Sequence, residues 1–158
     1  MLTDYHVHIE NGDYTLSWLQ KFIEKAKSQG IRELGIAEHA HRFKEAHHIH
    51  SHIWFDEWQT ESIEKYLDLL QKANANGTRI KQGIEMDYLP DQENEIKIFL
   101  DNYDFDYIIG SIHWLDKWGF DIPALEYIWP KSDVKQVYLQ YFETVIQMVE
   151  SKIGRAHV

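Results

Sequence analysis

Near the start of the chain stands Asp4-Tyr5-His6-Val7-His8, and its two imidazoles are spaced for chemistry. On an extended strand residues i and i+2 point the same way, so His6 and His8 project together. Two imidazoles on one face are either half of a metal site or a coincidence. The segments that follow repeat the theme. Glu38 and His39 close the run ELGIAEH, Glu85 and Asp87 close RIKQGIEMD, and His113 closes FDYIIGSIH. A single histidine on a strand is more often a satisfied core residue. Four strand ends that each carry an imidazole or carboxylate form a pattern that packing does not require. Imidazole and carboxylate are ligands of Zn, Mn and Fe, and a glutamate can bridge two ions. With no cysteine in the chain, any metal is held by His, Asp and Glu.

Such ends need elements to position them, and the chain alternates short apolar runs with amphipathic stretches. After the first strand, LTDYHVH, residues 15–29 read as a helix with apolar positions at Leu16, Leu19, Phe22, Ile23 and Ala26 and a stop at Gly30. Further helices are expected over 56–76, ended by Gly77, over 91–102, and over 132–151 with Ser132 as the cap. Strand and helix alternating four times imply a parallel α/β arrangement. In both a barrel and an open doubly wound sheet, function gathers at the C-terminal ends of the strands. The glycines are not spaced as a dinucleotide or phosphate loop, which argues against nucleotide binding.

Composition narrows the partners. The 158 residues suit one domain, and 44% hydrophobic with 27% charged is ordinary for a globular chain. The net charge of −10 argues against nucleic acid, whose phosphates demand a basic surface. It leaves room for a small phosphorylated substrate, because bound divalent cations reverse the local sign. There is no apolar run of about 18 residues to span a membrane and no secretory signal. The absence of cysteine suits the cytoplasm.

Taken in order, DYHVH, IAEHAH, GIEMDY and IIGSIHW resemble the first four motifs of the PHP (polymerase and histidinol phosphatase) superfamily, and its histidinol-phosphatase branch in particular. The resemblance covers nearly the whole chain. It implies a distorted TIM-like (βα)7 barrel, two or three divalent ions (Mn, Fe or Zn) and hydrolysis of phosphate esters. This chain would supply about the first four βα units. Carried over by motif, His6 and His8 bind the first ion, His39 a further ion, Glu85 bridges, and His113 ligates the second. Many members carry a histidine shortly after the HxH pair. Here the chain reads HIENGD, so Glu10 or Asp13 takes that place or the third ion is held weakly; Glu10 is the choice. The implied reaction is hydrolysis of L-histidinol phosphate in histidine biosynthesis. The alternatives are a phosphoesterase with another substrate and an inactive metal-binding fragment.

The later His-bearing strands of the family have no counterpart here, so 1–152 is expected to be a truncated domain. The last six residues, IGRAHV, can be encoded by a sequence that resembles a common sequencing adapter read in one frame, and 153–158 is expected to be a non-native tail.

Phosphate monoesters resist hydrolysis because the attacking oxygen meets an anion. Paired divalent ions lower the pKa of water and neutralise the phosphoryl oxygens. His41, in EHAHRF, is the candidate proton donor to the leaving group, its ordinary pKa lying near neutrality. Arg42 either grips phosphate oxygens or pairs with Glu45. Glu38 either accepts a ring N–H from a ligand histidine or orients the loop. The histidines of AHHIHSHIW either form a sensor or extra metal site, line a pocket mouth, or face water. Trp54, Trp58, Trp114 and Trp118 are candidate pocket walls, and Asp87 and Asp116 candidate partners of a substrate ammonium.

Overall fold

The computed structural model describes residues 1–75 and 79–156, with all side chains among them except those of 53, 54, 155 and 156. Its centre is a sheet in the order β1-β2-β3-β4-β7. Here β1 is Leu2–Asp4, β2 Ile31–His39, β3 Ile80–Asp87, β4 Tyr107–Ser111 and β7 Arg155–Ala156, while β5 (Trp114–Leu115) and β6 (Trp118–Gly119) pair with each other apart from this sheet. The first four strands are parallel, and β7 runs antiparallel along β4. Helices α1 (Leu16–Ser28), α3 (Ile63–Ala75) and α4 (Glu93–Asp101) connect the parallel strands, and α5 (Val134–Ser151) follows them. This is an α/β arrangement matching an incomplete TIM-like barrel of four βα units, with the parallel sheet that the alternation predicts and the barrel that the resemblance implies.

Central strands are the most apolar. From Leu34 to Glu38 every residue of β2 is buried, as is Gly83 to Asp87 of β3, because both faces of these strands are covered. Their register sets His39 beside Glu85, and that of β3 and β4 sets Asp87 beside Ser111. The chemically equipped ends therefore lie level with one another.

Helix α1 starts where expected: Thr15 is the N-cap and its hydroxyl accepts the Trp18 N–H. It buries Leu19, Ile23 and Ala26 and gives way to Gly30 at φ +75°. Other boundaries differ from the sequence reading. The first strand ladder covers only Leu2–Asp4, and His6 and His8 lie just past it in extended chain held by Ala37 N–H donating to the Val7 carbonyl at 2.9 Å. The second helix begins at Ile63, preceded only by a single turn, α2 (Ile53–Asp56). The intervening chain is pinned: Lys44 N–H donates to Glu61 O, Glu61 N–H donates to Arg42 O, and the Glu45 carboxylate accepts from Ser62 Oγ and Ile63 N. The expected end of that helix at 76–77 lies outside the described residues. Pro90–Gln92 forms a tight 3₁₀ turn ahead of α4. The cap of α5 is Asp133, whose carboxylate accepts from the N–H groups of Lys135 and Gln136; Ser132 instead closes the preceding turn on Ile128.

Tyr107 ties the sheet to the first histidines. Its ring crosses Gly83 and Gly35, where an added Cβ would lie 2.2 and 2.3 Å from it, and its hydroxyl donates to the Tyr5 carbonyl at 2.6 Å. Two glycines thus leave the lane through which β4 fixes the segment entering His6. From α3, the buried Tyr66 hydroxyl lies 2.8 Å from both the Ile36 and Gly83 carbonyls. Among the described residues no helix is long and apolar enough to cross a membrane.

Candidate metal centre

Glu85 lies almost fully buried near the C-terminal end of β3, and four imidazoles converge on its carboxylate. Its Oε2 lies 2.9 Å from His6 Nε2, 3.1 Å from His8 Nε2 and 3.3 Å from His39 Nε2; Oε1 lies 3.7 Å from His113 Nε2. Glu10 Oε2 approaches the other ring nitrogen of His39 at 3.2 Å. The rings of His8 and His39 stack at 4.2 Å. Three triads result, His6–His8–Glu85, His8–Glu10–His39 and His39–Glu85–His113, each with its donor atoms within 4.8 Å of one another. Every residue expected from the sequence as a metal ligand is therefore in one cluster, Glu10 included. Asp13, the alternative to Glu10, is exposed and belongs to none of the triads.

Groups that ligate through lone pairs are drawn together by a proton or a cation between them. The proton's version is visible in the pKa values. Burial raises the Glu85 carboxyl, yet hydrogen bonds from His8 and His6 and the charges of His39 and His113 outweigh it and hold it at about 2. Burial lowers His39, but its hydrogen bond to Glu10 and the charge of Glu85 carry it above the usual range. Nitrogen and carboxylate donors in sets of three fit Zn, Mn or Fe, and the shared Glu85 and His39 allow more than one ion.

Asp87, two residues further along β3, serves the same cluster from behind. Its Oδ1 lies 2.7 Å from His113 Nδ1 and accepts the His113 backbone N–H at 3.2 Å, while Oδ2 lies 3.4 Å from His41 Nδ1. Burial would raise its pKa, but these histidines pull it well below the carboxylate range. Its oxygens are committed to protein partners, which overturns the reading of Asp87 as a partner of a substrate ammonium. The signal was present in the sequence: residues 85 and 87 share a strand face. Asp87 turns His113 toward Glu85, the carboxylate–histidine arrangement that orients metal ligands. His113 is accordingly raised to about 9, burial being outweighed by Asp87 and Glu85.

Glu38 takes the loop-orienting role of the two open to it. Fully buried, it accepts the Ile9 N–H and so holds the chain between His8 and Glu10; burial raises its pKa. His41 is buried with its ring 4.8 Å from that of His39, and burial, opposed by Asp87, lowers its pKa. Arg42 is buried too and lies over the Trp58 ring at 5.3 Å, whereas Glu45 is occupied at the start of α3; the Arg42–Glu45 pair is not formed. A cleft of about 230 Å³ opens over the cluster, lined by Glu10, His39, His41 and His113 with Trp58 and Trp114 as walls. Trp118 packs instead on Trp129, at 4.7 Å, and the Trp54 side chain lies outside the described residues. Of the histidine-rich loop, His47 bonds Gln59, His48 faces exposed Glu95, and His50 is buried.

Four parallel strands gather imidazoles and carboxylates at one end of an α/β half-barrel, in sets of three that could hold a metal ion. The match to the PHP domain model over residues 4–157 gives that class its family, and the chain belongs to it. It is 25% identical over 150 residues to a probable histidinol-phosphatase of Deinococcus radiodurans, covering 91% of this chain and 54% of the relative. A probable histidinol-phosphatase of Clostridium acetobutylicum is 32% identical over 84 residues, 53% of this chain and 31% of that one. The fold also matches the crystal structure of histidinol phosphate phosphatase from Lactococcus lactis, solved with zinc, L-histidinol and phosphate. That likeness has a TM-score of 0.56 at 23% identity and covers 73% of this chain and 41% of the other. The chain thus spans about half the length of the Deinococcus radiodurans relative.

Proposed function

We propose that this chain carries the metal centre of a phosphomonoester hydrolase acting on L-histidinol phosphate. The observation that supports the reading best is Glu85 set between four imidazoles from three different segments, in a chain related to probable histidinol-phosphatases. His6, His8, Glu10, His39, Glu85 and His113 would hold two or three divalent ions. When bound, the ions supply Lewis acidity to the phosphoryl oxygens and acidify water near neutral pH.

The chain's own residues do the rest. Arg42, braced on Trp58, which lines the cleft, would grip phosphate oxygens through its planar fork. His41, whose Nδ1 faces Asp87, would give a proton to the departing alkoxide only as the doubly protonated ring, which burial disfavours and Asp87 favours. Asp87 holds His41 and His113 in fixed orientations, and Glu38 fixes the loop that carries Glu10. Trp58 and Trp114 limit water at the cleft. On this reading the enzyme works in the cytoplasm and needs neither nucleic acid nor membrane.

A second reading, metal binding without turnover, draws on the length shares: the chain spans 54% of one relative and 41% of the solved structure. It goes with residues 1–152 as part of a longer domain and 153–158 as a non-native tail. One experiment separates the two readings. The purified chain, loaded with Mn or Zn, is assayed for phosphate release from L-histidinol phosphate and from an aryl phosphate, beside Glu85→Ala. Release from histidinol phosphate that the substitution abolishes supports the enzyme; bound metal with no release supports the second reading.

A further inference from the structure

Helix α5 carries an apolar stripe on its outer side. Its inner side packs Val137, Tyr141, Val145 and Met148 on the core, yet of its 18 residues only Thr144 is buried. Val134, Tyr138, Leu139, Phe142, Ile146 and Val149 are each between 47% and 66% exposed. On a helical wheel these six fall within one sector of about 140°, centred close to Phe142 and opposite Thr144. About half of each side chain is bare, so the stripe presents roughly 600 Å² of apolar surface, the upper end of what a monomer leaves in one patch. Two such stripes face to face would bury roughly 1,200 Å², which reaches the size of a stable interface.

The charges beside the stripe single out a second copy of the chain as its cover. Lys135 and Glu150 stand seven residues before and eight residues after Phe142. Both are exposed, both lie on the same flank, and neither has an ion-pair partner among the described residues. A second α5 laid antiparallel across a two-fold axis at Phe142 sets Phe142 on its own counterpart and Tyr138 against Ile146. The same axis sets each Lys135 beside the other copy's Glu150, so the contact is self-complementary. A net charge of −10 on each copy opposes association in general, but the stripe is spared most of it. Between residues 134 and 149 the only acid is Glu143, at the rim about 100° from Phe142.

We propose that α5 is a self-association surface through which two copies of this chain pair as an antiparallel, isologous helix dimer. Pairing through α5 is independent of the reaction at the metal centre.

The test is sedimentation equilibrium of the purified chain over a wide concentration range. A species of twice 18.9 kDa is expected, in reversible exchange with monomer. Phe142→Glu, an exposed change that spares the packed face, should leave only monomer with unchanged helix content by circular dichroism. Lys135→Glu and Glu150→Lys should each weaken the dimer about tenfold, because each sets like charges together at both ends of the contact. The double swap, Lys135→Glu with Glu150→Lys, should restore the native Kd to within about threefold. Such rescue requires the two residues to meet across the axis, which neither a foreign partner nor further chain in a longer protein would provide. A native chain that stays monomeric overturns the proposal and leaves the stripe to one of those covers. Association that the single reversals do not weaken, or that the double swap does not restore, overturns the antiparallel pairing, as does a dimer that survives Phe142→Glu. If Phe142→Glu does not fold, the charge swap decides.

Discussion

Asp87 Oδ1 lies 2.7 Å from His113 Nδ1, and the same carboxylate reaches His41 through its other oxygen. One buried residue thus orients a ligand of the proposed metal centre and the proposed proton donor together. Asp87→Asn keeps the volume but offers one acceptor where there were two, and should lower metal affinity about 10–100-fold. Asp87→Ala should in addition cost about 3–5 kcal/mol, because it strands buried partners of a lost charge. Metal titration and chemical denaturation of the two variants check both; equal affinity in Asp87→Asn and wild type would remove the positioning role.

Tyr107 tests how the sheet places the first two ligands. Gly83→Ala puts a methyl group 2.2 Å from its ring, which must move or break its bond to Tyr5. Overpacking of this kind costs about 1–3 kcal/mol. Metal affinity should fall with stability, because His6 follows Tyr5; Tyr107→Phe, which removes only the hydroxyl, should reproduce part of the affinity loss.

Ligands that bind only the folded chain stabilise it. At a metal concentration one hundred times Kd the gain is about 2.7 kcal/mol, read as a rise in Tm that a chelator reverses. Acid should erase the gain, since histidine ligates only when deprotonated. A Tm indifferent to Zn, Mn and Fe at neutral pH would speak against the centre.

Arg42 is separable from the ligands. Arg42→Lys keeps the charge and loses the fork, and should weaken inorganic phosphate about tenfold as a competitive ligand while metal content stays constant. Loss of metal in this variant would mean that Arg42 supports the fold of the cleft instead.

Much of this centre was legible because ligands sit at strand ends. His39 and Glu85 were both read at strand ends, and the parallel register of β2 and β3 sets them side by side. Glu10 came from resemblance and lies against His39. Long-range geometry was harder to read. Asp87 shares a face with Glu85, but only the packed His41 loop shows that its oxygens are taken. The start of α3 was misplaced because the chain ahead of it is pinned by Glu45 and by backbone bonds to 42–44, contacts that periodicity does not encode. Nothing in the sequence around Gly35 and Gly83 signals that the Tyr107 side chain crosses them. The unpartnered nitrogens of His50 belong to this class as well, since only burial reveals them.

The central claim is that Glu85 and its four histidines hold divalent metal. Its most direct test is the metal content of the purified chain by mass spectrometry after loading with Zn or Mn and gel filtration, beside Glu85→Ala. The account predicts at least one equivalent retained by the native sequence and less than a tenth of that by the variant, both folded by circular dichroism. A folded native chain that retains no metal, or a variant that retains as much, would contradict it.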